Sequence, residues 1–229
     1  YIRYWYFVLP SEVHTSFAMG DLNNDGYPEI AFGCDDGNLY VLDSKGKLFF
    51  KFKTNGKVRS TPAIFDIDND GAEELVYTKL SNIIVEDLAT GKIKRKIKIK
   101  PKAEKQKEEY ELRRYRNIST ETTIDFRDIS SFAGDVVLKL VISDVDGDSK
   151  PELVVLRVDG ILACYNLHGS EKWSMFLDPY ISDIAVEDSG DIRVVAVSQY
   201  GYLYTVTADA KFFKKSLEEL QGTPLYIES

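Results

Sequence analysis

The sequence predicts an all-β chain, a β-propeller of four-stranded antiparallel blades. Three observations predict it. An acidic motif recurs, as DLNNDGYPEI at 21–30, DIDNDGAEEL at 66–75 and DVDGDSKPEL at 144–153. Short apolar runs flank each copy in the same order. Gly- and Asp-rich turns separate those runs at hairpin spacing. Four strands per unit, repeating about every 42 residues, describe propeller blades. A β-sandwich has no reason to repeat a turn and a strand order at fixed period.

The blades follow in order. The first is TSFAMG (15–20), the acidic motif, EIAFG (29–33), DDGNLYVLD (35–43) and LFFKFK (48–53). The second repeats the pattern with TPAIF (61–65), ELVYT (74–78), KLSNIIVED (79–87) and IKRKIKIK (93–100). The third has LKLVIS (138–143), ELVVLRV (152–158), VDGILACYN (158–166) and WSMFL (173–177). Val, Ile, Tyr and Phe fill these runs, as strands require. A fourth unit, 181–215, keeps the strands and loses the acidic motif, so no site is expected there. YIRYWYF at 1–7 sits where a preceding blade would have its fourth strand, and GTPLYIES at 222–229 where a following blade would have its first. Four complete blades plus terminal half-blade strands are therefore expected. The ends either pair to close one domain over 1–229 or belong to a larger propeller.

Residues 100–135 break the period. PKAEKQKEEYELRRYRN (101–117) is charged, and reads as one exposed helix or a long polar hairpin inserted between the second and third blades. Insertions of this kind on a rigid scaffold often carry binding function.

The acidic motif alternates oxygen-bearing side chains, which lets several converge on one hard cation. In the first copy the candidates are Asp21, Asn23, Asp25, the carbonyl of Tyr27 and Glu29. In the second they are Asp66, Asp68, Asp70, the carbonyl of Ala72 and Glu74, and in the third Asp144, Asp146, Asp148, the carbonyl of Lys150 and Glu152. Gly26 and Gly71 supply left-handed backbone; Ser149 replaces that glycine in the third copy and predicts a strained loop. An EF-hand needs glutamate at loop position twelve and helical flanks. That position holds Phe32, Tyr77 and Val155, and the flanks are strands. Carboxylates a few ångströms apart repel unless compensated, so about three bound ions are expected. Calcium suits a flexible all-protein oxygen cage better than magnesium does.

These residues resemble the FG-GAP, or integrin-α-like, repeat family, most clearly over 15–99 and 136–178. The resemblance implies a propeller with calcium in the inter-strand loop of each blade. GNLYVLDSKGKLFFKFKTNGKVRSTPAI (37–64) is also similar to blades of quinoprotein-type propellers. Both imply a propeller and differ on its activity.

The rest of the composition narrows the function. Apolar residues make up 44% of the 229 and charged residues 29%, enough to build a core. A net charge of −8 argues against nucleic acid, and no apolar run reaches the length of a membrane span. Cys34 and Cys164 lie in apolar runs and read as buried thiols. His14 and His168 sit in predicted turns, outside any catalytic cluster. Trp5 and Trp173 fall at fourth-strand positions. The expectation is a non-catalytic, calcium-stabilised module for protein binding, adhesion or scaffolding, with another protein or a cell-surface ligand as partner. A sugar-binding module, or the propeller domain of a carbohydrate-active or quinone-dependent enzyme, is the alternative; a quinone site needs six or more blades. Calcium and the sequon Asn117-Ile118-Ser119 favour an extracellular or cell-surface setting, and the reduced cysteines a cytoplasmic one.

Overall fold

The computed structural model describes residues 5–54, 58, 60–79, 82–99, 137–178, 180–187 and 193–216. Among these are four antiparallel four-stranded sheets, each a simple meander. The first holds β1 (Ala18–Gly20), β2 (Glu29–Gly33), β3 (Asn38–Leu42) and β4 (Leu48–Lys53). The second holds β5 (Ala63–Phe65), β6 (Glu74–Lys79), β7 (Asn82–Asp87) and β8 (Lys92–Lys98). The third holds β9 (Val137–Ser143), β10 (Glu152–Arg157), β11 (Ile161–Asn166) and β12 (Glu171–Phe176). The fourth holds β13 (Ile181–Glu187), β14 (Arg193–Ser198), β15 (Tyr202–Thr207) and β16 (Phe212–Ser216). The sixteen strands fall where the repeat places them. No helix long and apolar enough to cross a membrane occurs among the described residues.

Hairpin chemistry fixes the order within each sheet. The β2–β3, β10–β11 and β14–β15 connections use the same turn, in which the N–H of Gly37, Gly160 or Gly201 donates to the carbonyl of Cys34, Arg157 or Ser198. All three glycines have φ between 76° and 82°, a backbone that costs other residues steric strain.

Period-two alternation then decides how the sheets stack. Along β6, Leu75 and Tyr77 join Leu39 and Val41 of the first sheet, while Val76 joins Leu153 and Val155 of the third. Along β10, Val154 and Leu156 turn the other way, to Val194 and Ala196 of the fourth. The central sheets are therefore buried on both faces and read as continuous apolar runs. β14 is buried on alternate residues only, because its second face meets no further sheet among those described. The innermost strands β1, β5, β9 and β13 are successive neighbours, so the sheets fan out as an open arc of blades.

The outer strands β4, β8, β12 and β16 are the most exposed of each blade. Solvent-facing lysines in β4, β8 and β16 discourage edge-to-edge pairing with other chains.

Of the expected N-terminal half-blade strand, 1–7, residues 1–4 lie outside the described residues. Residues 5–9 form no strand. Phe7 and Leu9 instead pack, with Val13, against Phe32, Tyr40 and Leu42, so the segment covers the outer face of the first sheet and does not extend an edge. Trp5 likewise lies over the turn at Gly46, where its ring fills the space a Cβ would need. Trp173 does lie in β12, as expected. The C-terminal half-blade, the 100–135 insertion and the sequon lie outside the described residues.

Candidate cation-binding loops

Each acidic motif links the first and second strands of its blade, and each is built the same way. The leading aspartate caps its own loop. Asp21 accepts from the N–H groups of Asp25 and Gly26 at 3.0 and 2.8 Å. Asp66 accepts from Asp70 and Gly71 at 3.1 and 2.9 Å. Asp144 accepts from Gly147 and Ser149 at 2.7 and 2.8 Å. The third acidic position makes a shorter bridge, Asp25 to the N–H of Tyr27, Asp70 to Ala72 and Asp148 to Lys150. Short acidic side chains turned on their own backbone are the usual chemistry of tight turns.

Burial tends to raise Asp144, but the N–H groups of Gly147 and Ser149 outweigh it and hold the carboxyl below its ordinary range. Asp70 is held low first by the N–H of Ala72 and then by Lys94.

Two residues per loop adopt left-handed backbone: Asn24 and Gly26, Asn69 and Gly71, Gly147 and Ser149. The third loop exchanges the order, with glycine first. Ser149 then sits at φ 64°, so the strain expected there is present.

The glutamate that ends each motif is the pivot. Glu29, Glu74 and Glu152 open the second strand and are at most 1% exposed. In each, Oε2 accepts the N–H of the residue after the leading aspartate: Leu22 at 2.9 Å, Ile67 at 2.9 Å, Val145 at 3.1 Å. The partner of Oε1 differs. In the first loop it is the Asn23 amide, whose Nδ2 donates at 3.1 Å. In the second it is Lys94 Nζ at 2.6 Å, and in the third Lys172 Nζ at 2.6 Å.

Each ammonium also meets the loop's aspartates. Lys94 Nζ lies 3.0 Å from both Asp68 Oδ2 and Asp70 Oδ2. Lys172 Nζ lies 2.5 Å from Asp146 Oδ2 and 4.0 Å from Asp148 Oδ2. The bond to Glu74 is the main cause that keeps Lys94 protonated far above neutral pH. For Lys172, burial opposes the charge, but Asp146 and Glu152 overcome it.

A β-bulge places these lysines. In β8 the register slips between Val85, opposite Arg95, and Glu86, opposite Ile93, leaving Lys94 as the extra residue. In β12 it slips between Cys164, opposite Trp173, and Tyr165, opposite Glu171, leaving Lys172. β4 has the same slip, but the extra residue is Phe49. A bulge re-aims a side chain. The fourth sheet pairs β15 with β16 without a slip and has Arg193 where the others have the glutamate.

Asp66, Asp68 and Asp70 come together in the second loop, and Asp144, Asp146 and Glu152 in the third; in the first loop Asn23 meets Glu29 and the N–H of Asp25, and the three carboxylates do not form such a cluster. The two lysines are the members the sequence reading missed. Each lies 20 residues beyond its glutamate on a fourth strand, but so does Phe49 beyond Glu29, so the spacing alone does not single out a lysine. The oxygen donors of the first loop suit a hard cation such as calcium. In the second and third loops an ammonium already stands among the carboxylates, and a metal ion fits only if the lysine leaves.

Neighbouring loops also touch. Glu73, beside the pivot of the second loop, accepts the N–H of Asp21 at 2.6 Å.

His14 has two carboxylates beside it, a grouping the sequence did not suggest. His14 is in a cluster, with Nε2 3.1 Å from Glu12 Oε2 and 3.9 Å from Asp35 Oδ2, brought there because the N–H of Asp35 donates to the Glu12 carbonyl. His168 lies in the β11–β12 turn beside Arg95.

With the loops described, the comparison to known sequences is direct. Residues 21–77 match the FG-GAP-like repeat. The match runs from the leading aspartate of the first loop, through the second loop, into β6. The third loop lies outside that match and repeats the acidic spacing and the glutamate pivot of the first two. No curated protein matches the chain in sequence.

Solved structures resemble the chain too, β-propellers among them. BBS1N, crystallised in complex with ARL6DN, superposes with a TM-score of 0.60 at 14% identity over 89% of this chain and 56% of its own. BamB from Moraxella catarrhalis gives 0.51 at 12% identity over 90% and 53%. A protein of unknown function from Bacteroides caccae gives 0.54 at 12% identity over 93% and 64%. The chain thus spans somewhat over half the length of these neighbours. At such identities the likeness establishes the propeller fold.

Proposed function

We propose that the chain is a non-catalytic, protein-binding propeller module whose acidic loops are closed by cations, with calcium in the first loop. One observation carries the binding role. On the outer face of the fourth sheet, Leu203, Thr205 and Phe213 line a cleft with Arg193 and Lys215. Phe213 is 60% exposed. The equivalent faces of the inner sheets are covered by the next blade. No described residue covers this face, and an apolar face with cationic groups at its edge suits another protein surface. The BBS1N propeller, solved with ARL6DN bound, supports the reading by analogy of fold.

The first loop would hold calcium through Asp21, Asn23, Asp25, the carbonyl of Tyr27 and Glu29. The ion would tie β1 to β2 and do no chemistry. Millimolar calcium outside the cell suits such a loop, which favours an extracellular or cell-surface setting.

The binding role is tested by placing a photo-crosslinking amino acid at Phe213, and at exposed Ile93 on β8 as control, in cells that make the protein. One defined protein adduct at 213 and none at 93 is the expected result. Equal labelling at both, or none at either, would count against this face as the binding surface.

A further inference from the structure

We propose that Lys94 and Lys172 are the resident cations of the second and third loops, so that in the intact chain these two loops take no metal ion. The inference concerns the same loops as the function proposed above. It does not depend on calcium binding in the first.

Three observations converge. The first is geometric. Lys94 Nζ touches Glu74, Asp68 and Asp70 at once, and Lys172 Nζ touches Glu152 and Asp146, with Asp148 at 4.0 Å. Those carboxylates are the ones a cation would have to bridge. Asp66, Asp68 and Asp70 bring one oxygen each within 4.8 Å of one another, as do Asp144, Asp146 and Glu152.

The second is charge. Where the loop's second ligand position is aspartate, Asp68 or Asp146, the bulged residue is lysine. Where it is Asn23, the bulged residue is Phe49. The first loop has three carboxylates and no ammonium at its ligand positions. The others have four carboxylates and one ammonium. Counted over the acidic ligand positions and the bulged lysine, and leaving aside Glu73 and Lys150, the formal charge is thus the same in all three loops.

The third is competition. A tethered ammonium needs no capture from solution and is present at high effective concentration. A calcium ion entering either loop must displace it from a glutamate that is at most 1% exposed. The displaced ammonium would lose its charge-assisted bonds.

Three ions were expected from the motif; the lysines reduce the number to at most one. The blades still gain a strand-to-strand clamp, but one independent of calcium supply.

The test counts calcium bound per chain by equilibrium dialysis in metal-stripped buffer, for the wild-type protein and for K94M, K172M and F49K. Methionine keeps the aliphatic stem and removes the charge. The wild-type chain should bind no more than one ion. K94M and K172M should each bind one more than wild type. F49K, which installs the missing ammonium, should bind one fewer wherever the wild type binds one. A wild-type chain that binds three ions overturns the inference even if every variant fails to fold. Folded K94M and K172M that bind the wild-type number overturn it as well. A wild-type chain that binds none defeats the calcium reading of the first loop alone, and a gained ion in K94M still supports the lysines as resident cations.

Discussion

The backbone N–H of Asp21 donates to Glu73 Oε2 over 2.6 Å, so the first acidic loop is fastened to the second across the blade boundary. Neighbouring blades then share a link besides their apolar layer, and the loops are not fully independent. Removing the acceptor in Glu73→Ala should destabilise the protein by about 1.5–3 kcal/mol, the usual range for a bond to a charged group. Urea denaturation of Glu73→Ala against Glu73→Gln, which keeps an acceptor oxygen, checks this. Equal losses in the two variants would mean that the bond contributes little.

Gly20 stands at the same seam. A Cβ there would collide with Ile64 Cγ2 and with Glu73. Gly20→Ala should therefore lower stability more than Glu73→Ala does, because it displaces the Glu73 carboxylate and also forces the stiff, β-branched Ile64 to shift. Thermal melts of the two variants side by side decide the order.

The glutamate pivots and their lysines should be strongly coupled. Lys94→Met leaves Glu74, buried and charged, without its cation, and should cost about 3 kcal/mol in metal-free buffer. Lys94→Met combined with Glu74→Gln removes both charges and should recover a large part of that loss. A double variant no more stable than Lys94→Met would argue against coupling between the pair.

Backbone strain in the third loop is open to relief. Ser149 holds a left-handed φ of 64°, while the matching positions carry Gly26 and Gly71. Ser149→Gly should stabilise the protein by about 1 kcal/mol. Asn69→Gly should gain less, since asparagine tolerates that backbone. Chemical denaturation of both variants gives the comparison.

Both cysteines should be silent in the native state. Cys34 and Cys164 are free and fully buried. Burial, with Glu152 adding, pushes the Cys164 thiol up from an ordinary value near 9 to about 12. The folded thiol keeps its proton where the unfolded one loses it. Its contribution to stability is complete below pH 9 and is lost as pH rises toward 12. Ellman's reagent at about pH 8 should label neither thiol natively and both after denaturation, since only accessible thiolate reacts.

The blade order was legible because turn residues and apolar runs repeat at one period. EIAFG and LFFKFK coincide with β2 and β4 to the residue. The three acidic loops were legible too, because one alternation of Asp and Asn recurs between the first and second strands of three blades. Lys94 and Lys172 were not, because which residue becomes the bulge depends on hydrogen-bond register between strands and not on alternation along one strand. IKRKIKIK reads as an edge strand studded with solvated lysines, and nothing local marks Lys94 as the one turned inward. Trp5 was misplaced for a related reason. An apolar run can extend a sheet edge or cover a sheet face, and the choice rests on what lies beside it.

The most direct test of the account is a crystal structure grown from calcium-containing solution. It should place Lys94 Nζ against Glu74, Asp68 and Asp70, and Lys172 Nζ against Glu152 and Asp146, with anomalous calcium density confined to the first loop. Calcium in the second or third loop, with its lysine swung out to solvent, would contradict it.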